Sequence, residues 1–146
     1  MRCAAPGHGT TVGDQAGETV PDRRLVVPSL PASIASVRRF AVASCRDSPL
    51  AIVCDTVALL VSEIATNALV HGLGDVQVRV GTVGDRLRVE VFDDSPVLPR
   101  QRAAGLLEEG GRGLALVESL AAEWGVDRVG AGKVVWFELD PEPSGG

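Results

Sequence analysis

Residues 76–96 read VQVRVGTVGDRLRVEVFDDSP. Val76, Val78 and Val80 alternate with Gln77 and Arg79, and Leu87, Val89 and Val91 alternate with Arg88 and Glu90. Successive side chains on a strand point to opposite faces, so each run has one apolar face and one wet face. Gly84-Asp85 lies between the runs and predicts a hairpin turn. The apolar face of such a hairpin must be covered, and the flanking segments supply the cover.

Upstream, Arg23 to Val27 is a short β-prone run bounded by Pro28 and Pro31. Ala32 to about Cys45 carries Ile34, Val37, Arg38 and Ala41 at helical spacing, with Ser33 or Ser29 placed to cap it and Asp47-Ser48-Pro49 to end it. A longer helix is expected from about Leu50 to His71, closed by Gly72 and Gly74. Downstream, Asp94 to Gly111 reads as a long loop with room for a helical turn at Ala103 to Leu107. Arg112 to Trp124 reads as a third helix with Leu114, Val117, Ala121 and Trp124 as its apolar stripe. Gly125 to Val129 and Lys133 to Leu139 read as a closing pair of strands, with Val135, Phe137 and Leu139 on one face. The order strand, helix, helix, hairpin, loop, helix, hairpin predicts an α+β fold. Three helices would pack on one side of a mixed, mainly antiparallel sheet, a two-layer sandwich with the long loop at one edge of the helix layer.

The 146 residues carry 14 Lys+Arg against 19 Asp+Glu, a net charge of −5, and are 45% hydrophobic. This suits one soluble, folded domain, and the acidic balance argues against a surface built to bind nucleic acid directly. Cys3, Cys45 and Cys54 form no C-x-x-C pair, which predicts reduced thiols and a cytoplasmic protein. No secretory signal is visible at the start, and the apolar run Leu50 to Val61 is broken by Asp55 and followed by Glu63, so no membrane association is expected. Residues 1–21 read as a disordered tail, 22–140 as the folded domain and 141–146 as a polar end. Gly7, Gly9 and Gly13 in the tail precede no G-K-[ST], so a phosphate loop of the Walker type is not expected.

Three groups of residues can carry chemistry. At about 100° per residue, Glu63, Asn67 and His71 form one stripe beside the apolar sector of the long helix. The stripe fits an exposed polar edge with His71 near the helix end. It also fits an oxygen-rich surface aimed into a cleft, suited to Mg²⁺ and to activating a hydroxyl, though spacing alone favours the polar edge. Asp93-Asp94-Ser95-Pro96 ends a strand in two carboxylates, which is ordinary turn chemistry or an acceptor for a ligand's amino group. Gly110-Gly111-Arg112-Gly113-Leu114 stands just before a helix, where it is either a hinge or an anion site completed by the Arg112 guanidinium.

The order Glu63-x-x-x-Asn67, Asp93-x-Ser95 after a strand, then Gly111-x-Gly113-Leu114 before a helix resembles the GHKL, or histidine-kinase-like, superfamily of ATP-binding domains. That superfamily includes histidine kinases, a heat-shock chaperone, DNA gyrase and a mismatch-repair ATPase. Trp124-Gly125 and the ending Gly132-Lys-Val-Val-Trp-Phe-Glu-Leu139 resemble the bacterial anti-sigma-factor serine/threonine kinases. The resemblance covers about residues 23 to 140 and implies a Bergerat-type ATP-binding fold. It implies that Asn67 holds Mg²⁺ against the phosphates of ATP and that Glu63 is the catalytic base toward a serine or threonine hydroxyl. Asp93 would hydrogen-bond the adenine amino group. Residues 94–111 would form the ATP lid, and Gly111, Arg112, Gly113 and Leu114 would cradle the phosphates, with His71 and Ser95 also lining the nucleotide site. Ser95 and Val97 stand where the family usually has glycines, so the first glycine box is degenerate. Val134 or Val135 is expected at the family's threonine position near adenine.

The implied function is an ATP-dependent protein kinase that phosphorylates a small antagonist protein and regulates a sigma factor, with a homodimer as the expected assembly. The alternative is a non-catalytic ATP-binding or partner-binding module of the same fold. A sensor histidine kinase domain is the less favoured third reading, because no upstream helix carries an acceptor histidine and His8 lies in the tail.

Overall fold

The computed structural model describes residues 22–46, 49–71, 74–95 and 111–141, and the side chains of Pro49, His71 and residues 111–114 lie outside that description. Residues 1–21 and 142–146 of the expected tails, residues 96–110 of the expected lid, Val97 among them, and the Ala103–Leu107 turn lie outside it. In chain order the elements are β1 (Arg23–Val27), α1 (Ser33–Arg46), a 3₁₀ turn (Pro49–Val53), α2 (Cys54–His71), β2 (Val76–Val83), β3 (Arg86–Asp93), α3 (Gly111–Leu120), β4 (Glu123–Val129) and β5 (Gly132–Leu139). The strands form one sheet in the order β1-β2-β3-β5-β4. All four neighbouring pairs are antiparallel. The α+β sandwich is as expected, and no parallel pairing occurs among the described residues.

Two tight turns set the register. Val83 pairs with Arg86 across Gly84-Asp85, and Val129 pairs with Gly132 across Gly130-Ala131. Gly84 and Gly130 have φ of 65° and 59°, the left-handed region that two-residue hairpins demand and that a Cβ disfavours.

One face of the sheet carries the core. Val78, Val80, Leu87, Val89, Val91, Val135, Phe137 and Leu139 meet Val37 and Ala41 of α1 and Val57, Leu60, Val61, Ile64, Ala65 and Ala68 of α2, all buried. The segment Leu50–Val70 is long and apolar enough by composition to cross a membrane. Here Leu50, Val53, Val57, Leu60, Val61, Ile64, Ala65 and Ala68 of this segment are buried in the core, while Ile52, Leu59 and Val70 are exposed.

The opposite face is wet, as the alternation of Gln77, Arg79, Arg88 and Glu90 predicts. Seven charges of alternating sign run across it: Asp22, Arg79, Glu90, Arg88, Glu138, Arg86 and Asp140, with successive contacts of 2.9, 3.7, 2.8, 2.8, 3.4 and 2.8 Å. The Arg88 guanidinium also lies over the Trp136 ring, 4.0 Å from its centroid.

Two local expectations change. The third helix begins at Gly111 and ends at Leu120, so Trp124 belongs to β4, opposite Phe137. The Ala121 amide still bonds back to Val117, but the Ala122 amide donates to Glu138, so the sheet captures the chain there. Neither candidate serine is seen to cap α1. Ser33 Oγ donates to the Pro28 carbonyl at 2.8 Å, and Ser29 Oγ donates to the Gly74 carbonyl at 2.5 Å, which ties the start of α1 to the segment after α2. Cys45 and Cys54 are neighbours, and their thiols share a hydrogen bond of 3.0 Å where α1 ends and α2 begins.

Candidate functional site

The chemistry-bearing residues meet at one end of the sandwich, between α2 and the β3–β5 pair. Ile64, Asn67 and Ala68 of α2, Val91 and Asp93 of β3, and Lys133 and Val135 of β5 line a single cavity of about 10 Å³, room for one water. Asn67 and Asp93 therefore share a wall-to-wall space, 26 residues apart in sequence. Asn67 is half-buried, as its place on the edge of the apolar sector requires. Glu63 stands one turn earlier on α2 and is half-buried, outside the residues that line this cavity.

Asp93 is the last residue of β3, in phase with Val89 and Val91, so its side chain is carried to the helix-facing side and is 1% exposed. Two donor groups hold its carboxylate through three hydrogen bonds. The Ser95 backbone N–H donates to Oδ1 at 2.7 Å, the local turn expected of Asp followed by Ser. Lys133 Nζ donates to Oδ1 at 2.8 Å and to Oδ2 at 3.0 Å. Lys133 is 5% exposed and lies directly opposite Asp93 in the β3–β5 register. Ser95 is buried beside this pair.

The residue facing Asp93 is thus Lys133, which directly precedes the Val134 and Val135 considered for the threonine position. Val135 lines the cavity one step deeper, whereas Val134 pairs with Phe92 on the other face of the sheet. Lys133 was missed although a signal exists. The face Lys133, Val135, Phe137, Leu139 is apolar except at its first position, and a lysine in phase with a core face needs a buried partner. Gly132 was missed as well. A Cβ built there would strike the Asp93 carbonyl and come within 2.9 Å of the Asp94 Cα, so only glycine lets β5 approach the end of β3.

Gly111, Arg112, Gly113 and Leu114 form the first turn of α3, inside the helix rather than ahead of it. Their backbone N–H groups belong to the turn whose amides have no intrahelical acceptor, the general basis of an anion site. The side chains of Arg112, Leu114 and His71 lie outside the described residues.

Residues 27–139 match the family described as the histidine kinase-like ATPase domain. The chain belongs to that family. It is also 39% identical over 93 residues to "Blue-light-activated histidine kinase 2" of Erythrobacter litoralis (strain HTCC2594), an alignment covering 57% of this chain and 26% of that protein. The chain therefore spans about a quarter of that relative. As a histidine kinase-like ATPase domain, it is a kinase-like, ATP-binding fold. The anti-sigma-factor branch is a finer reading and is taken up below.

The residues present suit the family's ligand. A buried acceptor, Asp93, sits among Ile64, Ala68, Val91 and Val135, the mix of apolar lining and few polar groups that a flat base needs. Asn67 offers an amide oxygen at the same cavity. Among the described residues no group of three or more His, Cys, Asp or Glu is placed to hold a metal ion.

Proposed function

We propose that this domain binds Mg²⁺–ATP between α2 and the ends of β3 and β5 and is a serine/threonine protein kinase of the anti-sigma-factor type. It would phosphorylate a small antagonist protein and so regulate a sigma factor, in the cytoplasm and as a homodimer. The observation that carries the reading is the cavity shared by Asn67 and Asp93, the two positions to which the family resemblance gives the metal and the adenine.

Asp93 accepts from the 6-amino group of the base. Asn67 is the protein's ligand to the magnesium, which when bound neutralises the phosphate charge. Ser95 and the α3 first turn, Gly111 to Leu114, line the nucleotide, with His71 at the end of α2. Glu63, one turn from Asn67, accepts the proton of the attacking hydroxyl as its oxygen bonds the γ-phosphorus and ADP leaves. Phosphoryl transfer asks chiefly for positioning and charge neutralisation, so this small set suffices.

A second reading has its own support: the cavity as it stands admits a water and not a purine, and Asp93 is already paired. This favours a module that regulates by contact. Calorimetry with Mg²⁺–ATP separates the two, because heat and a thermal shift are expected only for the nucleotide-binding domain. Label transfer from γ-labelled ATP to a candidate antagonist then tests the kinase. Glu63→Ala should abolish transfer while leaving ATP binding in place, and Asn67→Ala should abolish Mg²⁺-dependent binding. Wild-type transfer rates in Glu63→Ala would overturn the base assignment.

A further inference from the structure

The buried Asp93–Lys133 pair is a costly choice for a sheet end. Two charges removed from water recover their desolvation only with good geometry, and apolar residues of similar volume usually serve stability as well. Its position gives it a use. The carboxylate and the ammonium stand side by side, on directly paired residues of β3 and β5, at the cavity that also holds Asn67. Among the described residues Oδ1 takes two donors, the Ser95 N–H and Lys133, while Oδ2 takes Lys133. An ammonium has three N–H donors and no acceptor. Among the described residues Lys133 gives them only to the two oxygens of Asp93, so one donor remains.

Resting on the ATP reading above, we infer that Lys133 is a base-reading residue: it donates to ring nitrogen N1 of adenine while Asp93 accepts from the neighbouring 6-amino group. An acceptor beside a donor on the protein is the complement of a donor beside an acceptor on the Watson–Crick edge of adenine. The lysine stem is flexible, so the ammonium can give up Oδ2 to the incoming amino group and keep Oδ1, which the Ser95 N–H also holds. That movement also widens a cavity that now admits one water. The purine is then read at two adjacent points by two charged groups, and each such hydrogen bond carries discrimination because a desolvated charged group left unpaired is costly.

The test compares Mg²⁺–ATP with Mg²⁺–1-deaza-ATP, which keeps the amino group and replaces N1 by a C–H, using calorimetry on the full chain. The wild type should bind the analogue about tenfold or more weakly. Lys133→Met should bind both nucleotides equally, with the loss falling on ATP. Equal affinities in the wild type, or undiminished discrimination in Lys133→Met, overturn the assignment while leaving ATP binding intact. Absence of ATP binding in the wild type overturns the ATP reading itself and this inference with it. The wild-type comparison decides even where Lys133→Met does not fold.

Discussion

Gly132 lies against the backbone of Asp93 so closely that a methyl group has no place to go. The contact is made by main chain on both sides, so no side-chain rotation can relieve it. Gly132→Ala must push β5 away from the end of β3, where the candidate site is built. Overpacking of this kind costs about 1–3 kcal/mol. Thermal unfolding should show the loss, and Mg²⁺–ATP affinity should fall further than the lower stability accounts for. An unchanged melting temperature would contradict the close approach.

The Asp93–Lys133 pair should be asymmetric under mutation. Removing one partner leaves a buried charge alone, at about 3–5 kcal/mol, whereas replacing both by apolar residues should be near neutral. Urea unfolding of Lys133→Met, Asp93→Leu and the double variant measures this directly. The expected result is a double variant more stable than either single one.

Burial, and then the hydrogen bond with Cys54, pushes the Cys45 thiol up to about 12. Its ionised fraction at pH 8 is then about one part in ten thousand, and the thiolate is the reactive form. Brief alkylation at pH 8, followed by peptide mapping, should label the half-buried Cys54 well before Cys45. The folded thiol titrates above its ordinary value of 9.0, so its contribution to stability is complete below pH 9 and is lost as the pH rises toward about 12. Comparison of unfolding free energies for wild type and Cys45→Ala across pH 8–11 should reveal that slope in the wild type alone.

Hydrogen bonding to Arg79 holds the Asp22 carboxyl below its usual value of 3.8. The pair is about one-third exposed on both sides, so solvent screening keeps its worth within about 1 kcal/mol. Asp22→Ala should cost no more than that at pH 7. Because the folded carboxyl titrates lower than the unfolded one, the difference from wild type should fade as the pH drops below 3.8. Chemical denaturation at pH 7 and pH 3 provides the check.

The first hairpin is legible in the sequence because a two-residue period and a glycine-bearing turn coincide at Val76–Val91, and the last strand because Val135, Phe137 and Leu139 alternate. The long helix is legible for the same kind of reason, since Val57, Leu60, Ile64 and Ala68 recur on one face. Trp124 defeats such reading. It satisfies helical spacing from Val117 and Ala121, and equally the alternation with Val126 that β4 uses. The choice is made by the Ala122 amide, which bonds Glu138 sixteen residues later. Within the site, Asn67 and Asp93 were legible as types and spacings. Lys133 was not, because its partner lies 40 residues away and only the β3–β5 register brings them together.

That register has a consequence for sequence change near the C-terminus. The short link Gly130-Ala131 pins the phase of β5, and a strand's period of two makes the phase all-or-none. A one-residue deletion in this link, if absorbed as a single-step slide of β5 past β3, would turn the ammonium to the other face of the sheet and set Val134 across from Asp93. The length of one tight bend, two residues ahead of Lys133, thus governs whether the binding floor is ionic or greasy.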